Sequence, residues 1–592
     1  MEQFAKSARL PLLVIAGAII LSFIGARHDI LAMTFPDPDD ALRLQQVRDL
    51  LGGQAWFDVV QHRVNPPVGG LMHWSRLIDL PLAIMIGGLT PLLGQGAAEY
   101  VAILIYSVTM LAALTFLMAR ILRLYGRSEL VIAGLVAPFL MSLVGAQFRL
   151  MRIDHHSAQM LLGAAAFGFT IAAWRRWTGI AVGALLAIAV SISLEAIIYV
   201  PAFGLVFAWP WLRRDQARDQ LARFCLSFVL TSVGVMLVTR GPQAPLQSYC
   251  DAMSRPYLAA TAAAALILLA GTRLPMPAVA RWAIAGIAAL AAVACLALAD
   301  AQCLGGPFAE LNPYSRKYWY ESVLEGLPLW KQGTLALNVV ALHIFSIIGI
   351  YLGWRNSTET EQRHRWLVTG FLFGWAMCVG VMVMRTNGLA HLYGLAGIAW
   401  VGWKSWAYAR SIPRTLPRIL ATAANPILVA ALLPVLLPGL RLAPQTTDQP
   451  ITSGTQASTI CSSGADIAGL NRIEPSLLFA AIDIGPMVLV ESRHSVIATG
   501  HHRNDEAIAK VIKAFLAKPD QAQAIVQSTA ASYLAFCPTS TEGDTYITAG
   551  RHTLASELVA GHQPRWLTPV PMPKGATLQL YRIVRPVAAP AQ

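Results

Sequence analysis

Long apolar segments separated by short, mostly basic loops dominate the first 440 residues of the chain. Thirteen of them predict membrane-spanning helices, because a helix needs about 20 predominantly apolar residues to cross the hydrocarbon core. The predicted spans cover about 10–26, 98–119, 130–147, 157–174, 178–194, 196–212, 224–239, 257–272, 282–299, 334–353, 367–384, 389–403 and 418–438.

The pattern changes after residue 440, where a polar linker is followed by short elements. The runs SLLFAAIDI, MVLVES, SVIATG, ASYLAFC and ATLQLYRIV predict strands. The stretches DEAIAKVIKAFLAK and PDQAQAIVQSTA predict helices. This part of the chain is therefore expected to form a mixed α/β domain.

One further apolar stretch, residues 77–94, is left out of the count of spans. Counted as a span, it would place the basic loop at 120–127 outside and reverse every later basic loop. Pro81 and Pro91 also weaken it as a membrane-crossing helix. We predict a re-entrant or interfacial helix at the outer surface, which leaves every predicted inside loop basic.

Composition agrees with a polytopic helical membrane protein. Of 592 residues, 56% are hydrophobic and 13% charged, against about 45–50% and about 25% in typical soluble domains. This composition argues against a soluble enzyme, a fibre and a disordered chain. The net charge of +13 comes largely from Lys and Arg in predicted inside loops, so that it indicates topology and not nucleic-acid binding.

Two domains follow from these patterns: a transmembrane domain at 1–439, with long outer loops at about 27–97 and 300–333, and an outer domain at 440–592. The first apolar segment is longer than a signal peptide usually is and lacks a clear cleavage site, so we interpret it as an uncleaved span. The N-terminus is then cytoplasmic and the C-terminal domain periplasmic, which predicts a multi-pass protein of the bacterial inner membrane. Cys461 and Cys537 lie in the outer domain, where they either pair or stay free.

The scarce acidic residues cluster on the predicted outer side. Asp37, Asp39 and Asp40 directly precede a helical pattern in the first outer loop. One aspartate would serve as a helix N-cap. Three carboxylates in four residues repel one another unless a cation or a basic partner is near, so capping and cation binding both stay open.

A second cluster, Arg149, Arg152, Asp154, His155 and His156, lies where the third predicted span ends. These residues are either ordinary polar groups of a membrane interface or an Asp-x-His arm that binds a divalent cation. Carboxylate and imidazole ligands together suit manganese and, less strictly, magnesium.

Other polar residues on the outer side are weaker signals individually. Glu325 lies in an aromatic-rich loop, Arg385 at the outer end of a span, and Glu195 at another span end. A lone arginine in such a place commonly reaches for the headgroups, whereas a carboxylate near the membrane is costly. His73 and Trp74 precede the stretch 77–94 and are interpreted mainly as an interfacial anchor.

In this order and on this side of the membrane, the motifs resemble those of the GT-C glycosyltransferases. Within that class the chain is similar to the single-chain oligosaccharyltransferases of bacteria and archaea and to the catalytic subunit of the eukaryotic complex, which have thirteen spans and an outer C-terminal domain. Residues 39–49 resemble the segment with the catalytic aspartate of the first loop, which assigns that role to Asp39, with Asp40 and Asp37 as alternatives in register. Residues 154–156 resemble the family's Asp-x-His motif, and residues 322–325 its motif ending in Glu.

The resemblance implies a role for each of these residues. Asp39, Asp154 and His156 would hold the divalent cation, Mn or Mg. Arg385, with Arg149 and Arg152, would bind the donor phosphate. Glu325, with Asp39 or Asp40, would orient or deprotonate the acceptor.

Asp483 and Gly485 resemble the end of the family's Trp-Trp-Asp-Tyr-Gly motif, which implies contact with the acceptor. Ala481 and Ile482 stand where that motif has tryptophans, and Ile484 where it has tyrosine. In the family this motif reads the hydroxyl two residues after the acceptor asparagine. The departures leave the acceptor open among protein, lipid and glycan.

The predicted function is metal-assisted transfer of a sugar or oligosaccharide from a polyprenyl-(di)phosphate donor to an acceptor on the periplasmic face. One alternative is a GT-C enzyme that transfers a single sugar from a polyprenyl monophosphate to a lipid, a glycan or a Ser/Thr. Another is a transporter or flippase for a lipid-linked substrate, which would need ionisable groups near the bilayer midplane. The expected partners are a polyprenyl-linked donor and membrane lipid, with no nucleic acid.

Overall fold

The structure is a computed structural model that describes residues 9–32, 34–426, 428–430 and 461–585. It divides into two compact units. The helical unit comprises the described parts of Met1–Thr34, Ser75–Pro307 and Leu324–Ser453. The α/β unit comprises those of Phe35–Trp74, Phe308–Val323 and Gly454–Gln592, and so includes parts of both long predicted outer loops. The predicted boundary at 439/440 lies outside the described residues.

The helices up to residue 423 are α1 (Arg9–Leu31), α2 (Pro38–Leu51), α3 (Arg76–Leu93), α4 (Gln95–Arg123), α5 (Ser128–Val136), α6 (Ser142–Gln147), α7 (His156–Ile171), α8 (Thr178–Ile192), α9 (Val200–Arg214), α10 (Arg218–Arg240), α11 (Arg255–Arg273), α12 (Ala278–Ala299), α13 (Pro313–Tyr318), α14 (Leu335–Arg355), α15 (Thr360–Met382), α16 (Asn387–Ser411) and α17 (Thr415–Ala423). Short 3-10 turns cover Leu194–Tyr199, Leu324–Gly326 and Met384–Thr386. A two-residue hairpin, β1 (Val60–Gln61) and β2 (Gly70–Leu71), lies between α2 and α3.

The predicted polytopic helical architecture is confirmed. Among the described residues, eight helical segments are long and apolar enough to cross a membrane. They are Arg76–Leu93, Gln95–Arg123, Leu194–Arg214, Arg218–Arg240, Arg255–Arg273, Ala278–Ala299, Leu335–Arg355 and Thr360–Met382. The stretch predicted to be re-entrant is thus a continuous helix of spanning length, and its placement in the membrane stays a prediction, as do the count of thirteen and the side of each loop.

Helices α14 and α16 pack backbone against backbone in the helical unit. A Cβ atom added at Gly349 would lie 1.9 Å from the carbonyl oxygen of Gly397, so that any side chain there would force the two helices apart. Close approach through small residues is the usual way in which membrane helices gain packing energy. The contact fixes helix α16 against helix α14 within the unit.

Two disulfides connect described parts of the chain. Cys250, between α10 and α11, is bonded to Cys303, just after α12, and so closes the end of the α11–α12 hairpin. Cys461 and Cys537 are bonded in the α/β unit, which decides between the two states that the sequence left open. All four cysteines lie in segments predicted to be outside, the oxidising side on which disulfides persist.

The α/β unit has a five-stranded sheet in the order β4-β3-β5-β7-β6. Its strands are β3 (Leu477–Ala480), β4 (Ser495–Val496), β5 (Tyr533–Phe536), β6 (Leu567–Pro569) and β7 (Gln579–Ile583), and its helices are α18 (Gly464–Leu470), α19 (Gly485–Glu491), α20 (Asp505–Leu516), α21 (Pro519–Gln527), α22 (Thr541–Thr548) and α23 (Leu554–Val559). Strand β3 pairs in parallel with β4 and β5, and β7 is antiparallel to β5 and β6. The α/β class and both predicted helices are confirmed.

One predicted strand is wrong. The run MVLVES forms most of helix α19, with Pro486 in its first turn. A proline is well accommodated there, because the N–H groups of the first helical turn have no carbonyl partner within the helix, and proline only lacks one of these. Helix α19 is buried between the sheet and α2, and its run is apolar on every side. The run therefore lacks the pattern of apolar and polar positions that distinguishes a helix from a strand.

Candidate functional site

The Asp-x-His motif lies in the turn between α6 and α7. Asp154 is buried and its carboxylate contacts three neighbours: His155 Nδ1 at 2.6 Å, Arg152 Nη2 at 3.4 Å and His156 Nε2 at 3.6 Å. Burial raises the pKa of Asp154, but the two imidazoles and Arg152 lower it more, and the net pKa lies well below the usual range. Asp154 is therefore an anion at neutral pH.

The donor set of this turn fits a divalent ion. Ligand atoms of Asp154, His155 and His156 all lie within 4.8 Å of one another. Carboxylate oxygen with imidazole nitrogen suits manganese or zinc better than magnesium, which prefers oxygen ligands. His155 thus joins the two ligands that the sequence predicts here.

The two arginines of this cluster differ in their surroundings. Arg152 is buried and donates to Gln147 Oε1 at 3.2 Å as well as facing Asp154. Arg149 is exposed. Arg152 therefore balances the charge of the predicted metal ligand, whereas binding of a donor phosphate by either arginine stays a prediction.

Arg385 lies in the 3-10 turn between α15 and α16 and is held by two carboxylates. One guanidinium nitrogen forms an ion pair with Glu195, and another contacts Glu325 Oε1 at 3.2 Å. The turn that carries Glu325 packs on the turn of Arg385, and Met384 N–H donates to the carbonyl of Leu327 at 3.0 Å. The structure thus brings together the predicted phosphate-binding and catalytic residues of this unit.

A single cavity connects the two motifs of the helical unit. It is lined by Gln147, His156, Gln159, Met160, Glu195, Tyr199, Arg385, Thr386 and Leu389. His156 and Arg385 are separated by more than two hundred residues in sequence, and they line the same small cavity. A cation-binding side chain and a phosphate-binding side chain are what a phosphate-linked substrate requires.

The first-loop aspartates lie in the α/β unit. Asp37 caps helix α2 and accepts the backbone N–H of Asp39 at 3.0 Å, so the capping interpretation holds for that residue. Asp40 is fully buried and Asp39 half-buried in the first turn of α2. Helix α2 packs against α19, which begins at Gly485.

The predicted acceptor residues therefore meet these aspartates in one unit. Asp483 precedes α19, and burial together with the nearby Asp37 carboxylate raises its pKa to about 6. A Cβ atom at Gly485 would lie 2.6 Å from the carbonyl oxygen of Ala498, so glycine is required for the close approach of the two segments. Ala481 and Ile482, at the family's tryptophan positions, are fully buried in the core of the unit.

Glu542 is a functional candidate that the sequence did not indicate. The buried carboxylate of this residue accepts the backbone N–H groups of Ile482 and Asp483, both at 2.8 Å, and the Tyr546 hydroxyl at 2.6 Å. Burial and the Asp483 carboxylate raise its pKa to about 8, against the effect of these hydrogen bonds. It fixes the turn that carries Asp483, and no local pattern could reveal a contact across 59 residues.

Comparison with known proteins gives a fold for this arrangement. No family model and no curated protein matches the chain. Among solved structures, the archaeal oligosaccharyltransferase AglB of Archaeoglobus fulgidus, in complex with an inhibitory peptide and a dolichol-phosphate, is 13% identical and superposes with a TM-score of 0.59 over 94% of this chain and 72% of that one. The chain has the oligosaccharyltransferase fold.

Two further structures of the A. fulgidus oligosaccharyltransferase agree. One, tethered to an acceptor peptide containing the NVT sequon, is 12% identical with a TM-score of 0.58 over 98% of this chain and 74% of that chain. The other, a complex with Zn and sulfate, is 11% identical with a TM-score of 0.52 over 88% and 67% of the two chains. The predicted resemblance is confirmed for the fold, and the roles of individual residues stay predictions.

Proposed function

We propose that the protein is a membrane glycosyltransferase that moves a sugar or oligosaccharide from a polyprenyl-linked donor to an acceptor. The observation that carries the proposal is the cavity that His156 and Arg385 both line within an oligosaccharyltransferase fold. We place it in a bacterial inner membrane, with the reaction on the periplasmic face. The dolichol-phosphate bound to the archaeal neighbour supports a polyprenyl lipid as the carrier.

A divalent cation is part of the proposal. Asp154 and His156 would hold it, and the sequence resemblance adds Asp39 as a further ligand. Such an ion neutralises negative charge that develops on a leaving phosphate. The zinc and sulfate in a neighbouring structure support a site for a cation and an oxyanion in this fold, with manganese or magnesium as the ion predicted from the sequence.

The remaining steps belong to side chains of this chain. Arg385 would bind a phosphate oxygen through its guanidinium, with Glu195 and Glu325 fixing its orientation. Glu325, or one of Asp39 and Asp40, would take or orient the proton of the acceptor. Arg149 and Arg152 are secondary candidates for phosphate, and Asp483 and Gly485 are proposed acceptor contacts.

A second candidate is the transfer of a single sugar from a polyprenyl monophosphate to a lipid, a glycan or a Ser/Thr. The specific observation that favours it is the burial of Ala481 and Ile482, which leaves no aromatic surface at that place to read a sequon. A transporter is less well supported, because the acidic clusters lie beside helix ends. The two enzyme candidates differ in their donor, which an assay with diphosphate and monophosphate lipids distinguishes.

The test is sugar transfer by the purified protein from lipid-linked donors of both classes. We expect activity that is lost in EDTA, is restored by Mn²⁺ or Mg²⁺, and falls by at least about a hundredfold in Asp39→Ala and Asp154→Ala. Asp520→Ala, at an exposed position of α21, is the matched control and should keep full activity. Full activity of both site variants would contradict the metal-site model.

A further inference from the structure

Three histidines lie together in the α/β unit, outside the catalytic, metal-binding and phosphate-binding roles proposed above. His73 lies two residues after strand β2, and His501 and His502 lie at the turn before helix α20. His73 Nδ1 lies 2.8 Å from His501 Nε2, across 428 residues of sequence. The ring of His502 is 4.8 Å from that of His73 and 5.3 Å from that of His501, measured between centroids.

We propose that His73, His501 and His502 form a binding site for a divalent transition-metal ion of the zinc class. Imidazole nitrogen is a preferred ligand of zinc, copper and nickel and a poor one for magnesium and calcium. Three imidazoles make a set that zinc binds with its fourth position left for water or another group. This chemistry separates the cluster from the carboxylate-containing turn at Asp154.

The geometry of the His73–His501 pair is close to that of two ligands of one metal ion. Two imidazole nitrogens that face each other at 2.8 Å share one proton in a hydrogen bond. Zinc holds each nitrogen at about 2.0–2.1 Å, and in tetrahedral geometry this places two ligand nitrogens about 3.4 Å apart. A small rotation of the two rings, with a metal in place of the shared proton, converts the hydrogen bond into coordination.

Aromatic rings pack against two of the three histidines. Trp74 meets His501 edge-on at 5.9 Å between centroids, and Phe308 meets His502 edge-on at 5.0 Å. Asn504 Nδ2 donates to the carbonyl of Ile497 at 3.1 Å and fixes the end of the turn that carries both histidines. Rings held in this way lose little further freedom when they bind an ion, which lowers the entropic cost of binding.

A bound ion would tie two distant segments of the unit together. His73 belongs to the stretch that follows α2 and the β1–β2 hairpin, whereas His501 and His502 precede α20 in the C-terminal part. Binding to the folded state alone stabilises it by mass action. We therefore expect the ion to raise the melting temperature of the protein.

The experiment uses the full-length protein in detergent, stripped of metal and titrated with Zn²⁺ alone. We expect the double variant His501→Asn/His502→Gln to bind one zinc fewer per chain than the unaltered protein and to lose the zinc-dependent rise in melting temperature. Loss of one ligand, in His73→Asn, should weaken binding by at least about a hundredfold. His552→Gln and His562→Gln remove exposed histidines that contact Glu557, and they should bind as the unaltered protein does.

Two controls separate this site from folding defects and from the proposed catalytic metal. The metal-free double variant should melt within a few degrees of the metal-free unaltered protein. His73→Asn repeats the test with one ligand changed if the double variant does not fold. In Asp154→Asn/His156→Gln, zinc binding by the three histidines should persist whether or not the protein transfers sugar. Equal zinc counts and equal zinc-dependent melting shifts in the unaltered protein and in the folded histidine variants would overturn the proposal.

Discussion

Arg385 is the residue whose surroundings most directly suggest substrate binding. Its guanidinium is shared between Glu195 and Glu325, both at least a quarter exposed, so that an incoming phosphate can compete for it. We expect Arg385→Lys to lower kcat for sugar transfer by about 10²-fold or more, because a single ammonium cannot reproduce the planar two-sided contact. Initial rates at saturating lipid donor measure this.

The control for that change is Arg365→Lys. Arg365 is another arginine of the helical unit, but it is buried, donates to the backbone carbonyls of Ile171 and Leu124 and contacts Glu361. Its loss should lower the melting temperature without a comparable fall in kcat of the folded protein. Equal losses of kcat in both variants would remove the special role of Arg385.

Glu542 gives the α/β unit a pH-dependent stability. The pKa of Glu542 is about 8 in the folded chain, against an ordinary 4.5. Between these values the folded state keeps a proton that the unfolded state has released, so the free energy of unfolding falls as pH rises from about 5 to about 8. Asp483, with a pKa raised to about 6, acts in the same direction at lower pH.

We therefore expect the melting temperature to fall over this range of pH, and the fall to be smaller in Glu542→Gln. Melting curves recorded from pH 5 to pH 8 measure it. Glu506→Gln, at an exposed position of α20, should keep the slope of the unaltered protein. An unchanged slope in Glu542→Gln would show that another group controls the dependence.

At the scale of residues, the sequence predicts those sites whose residues are neighbours in the chain. Asp154, His155 and His156 are neighbours in the chain, and their spacing is enough to indicate a ligand set. The ion pair of Arg385 with Glu195 and the hydrogen bonds of Glu542 depend on long-range packing. Neither could be predicted from one sequence, because residue type alone does not fix which distant side chain arrives.

Among the elements, α14 and α16 lie too close together for a side chain at Gly349. We expect Gly349→Ala to destabilise the protein by at least about 2 kcal/mol, because its Cβ would overlap the Gly397 carbonyl and the backbones would have to separate. Thermal unfolding in detergent measures the effect. Gly374→Ala is the matched control on α15, where a Cβ atom meets nothing within 4 Å, and it should melt at or slightly above the temperature of the unaltered protein. A melting temperature as high in Gly349→Ala as in the control would contradict this account.

Hydropathy predicted most helices. It failed where a helix is buried on all sides, because its apolar residues then show no helical period. Most long apolar runs form helices close to their predicted limits, and DEAIAKVIKAFLAK forms α20 because its apolar residues recur on one face. The span predicted at 130–147 is not one helix: α5 and α6 are separated by a 3-10 turn at Ala137–Leu140, which has Pro138 in its first turn. Residues 431–438 of the span predicted at 418–438 lie outside the described residues. The run MVLVES is buried on all sides in α19, so its period is lost. The stretch 77–94 folds as helix α3 with Pro81 and Pro91 inside it, and hydropathy alone does not decide whether such a helix crosses the bilayer.

For the whole molecule, the disulfides bear on the side of the membrane that each loop occupies. Cys250 and Cys303 are bonded, as are Cys461 and Cys537, and disulfides persist on the oxidising side. We expect four of the seven cysteines to resist maleimide in the denatured, unreduced protein and to react after reduction. Mass spectrometry counts the adducts. Reaction of all seven before reduction would place these loops in a reducing compartment.

Reporter fusions measure the side of the membrane on which each loop lies. A reporter enzyme that is active only in the periplasm should be active when it is fused after residue 445 and inactive when it is fused after Arg127, Arg176 or Arg414, because basic loops stay inside. If residues 77–94 cross the membrane, the fusion after Arg127 becomes active and the fusion after residue 445 inactive.

That reversal would also move Cys250 and Cys303 to the reducing side. The distribution of basic loops and the position of the Cys250–Cys303 bond are independent observations. With residue 27 on the outside, as predicted, both favour an even number of crossings between residue 27 and Cys250. With 77–94 at the surface, six predicted spans lie in that interval; counting 77–94 as a seventh would contradict both observations at once. Among the arrangements that keep the predicted spans, a surface position for helix α3 satisfies the charges and the disulfide together, and the pair of fusions at Arg127 and residue 445 tests this prediction.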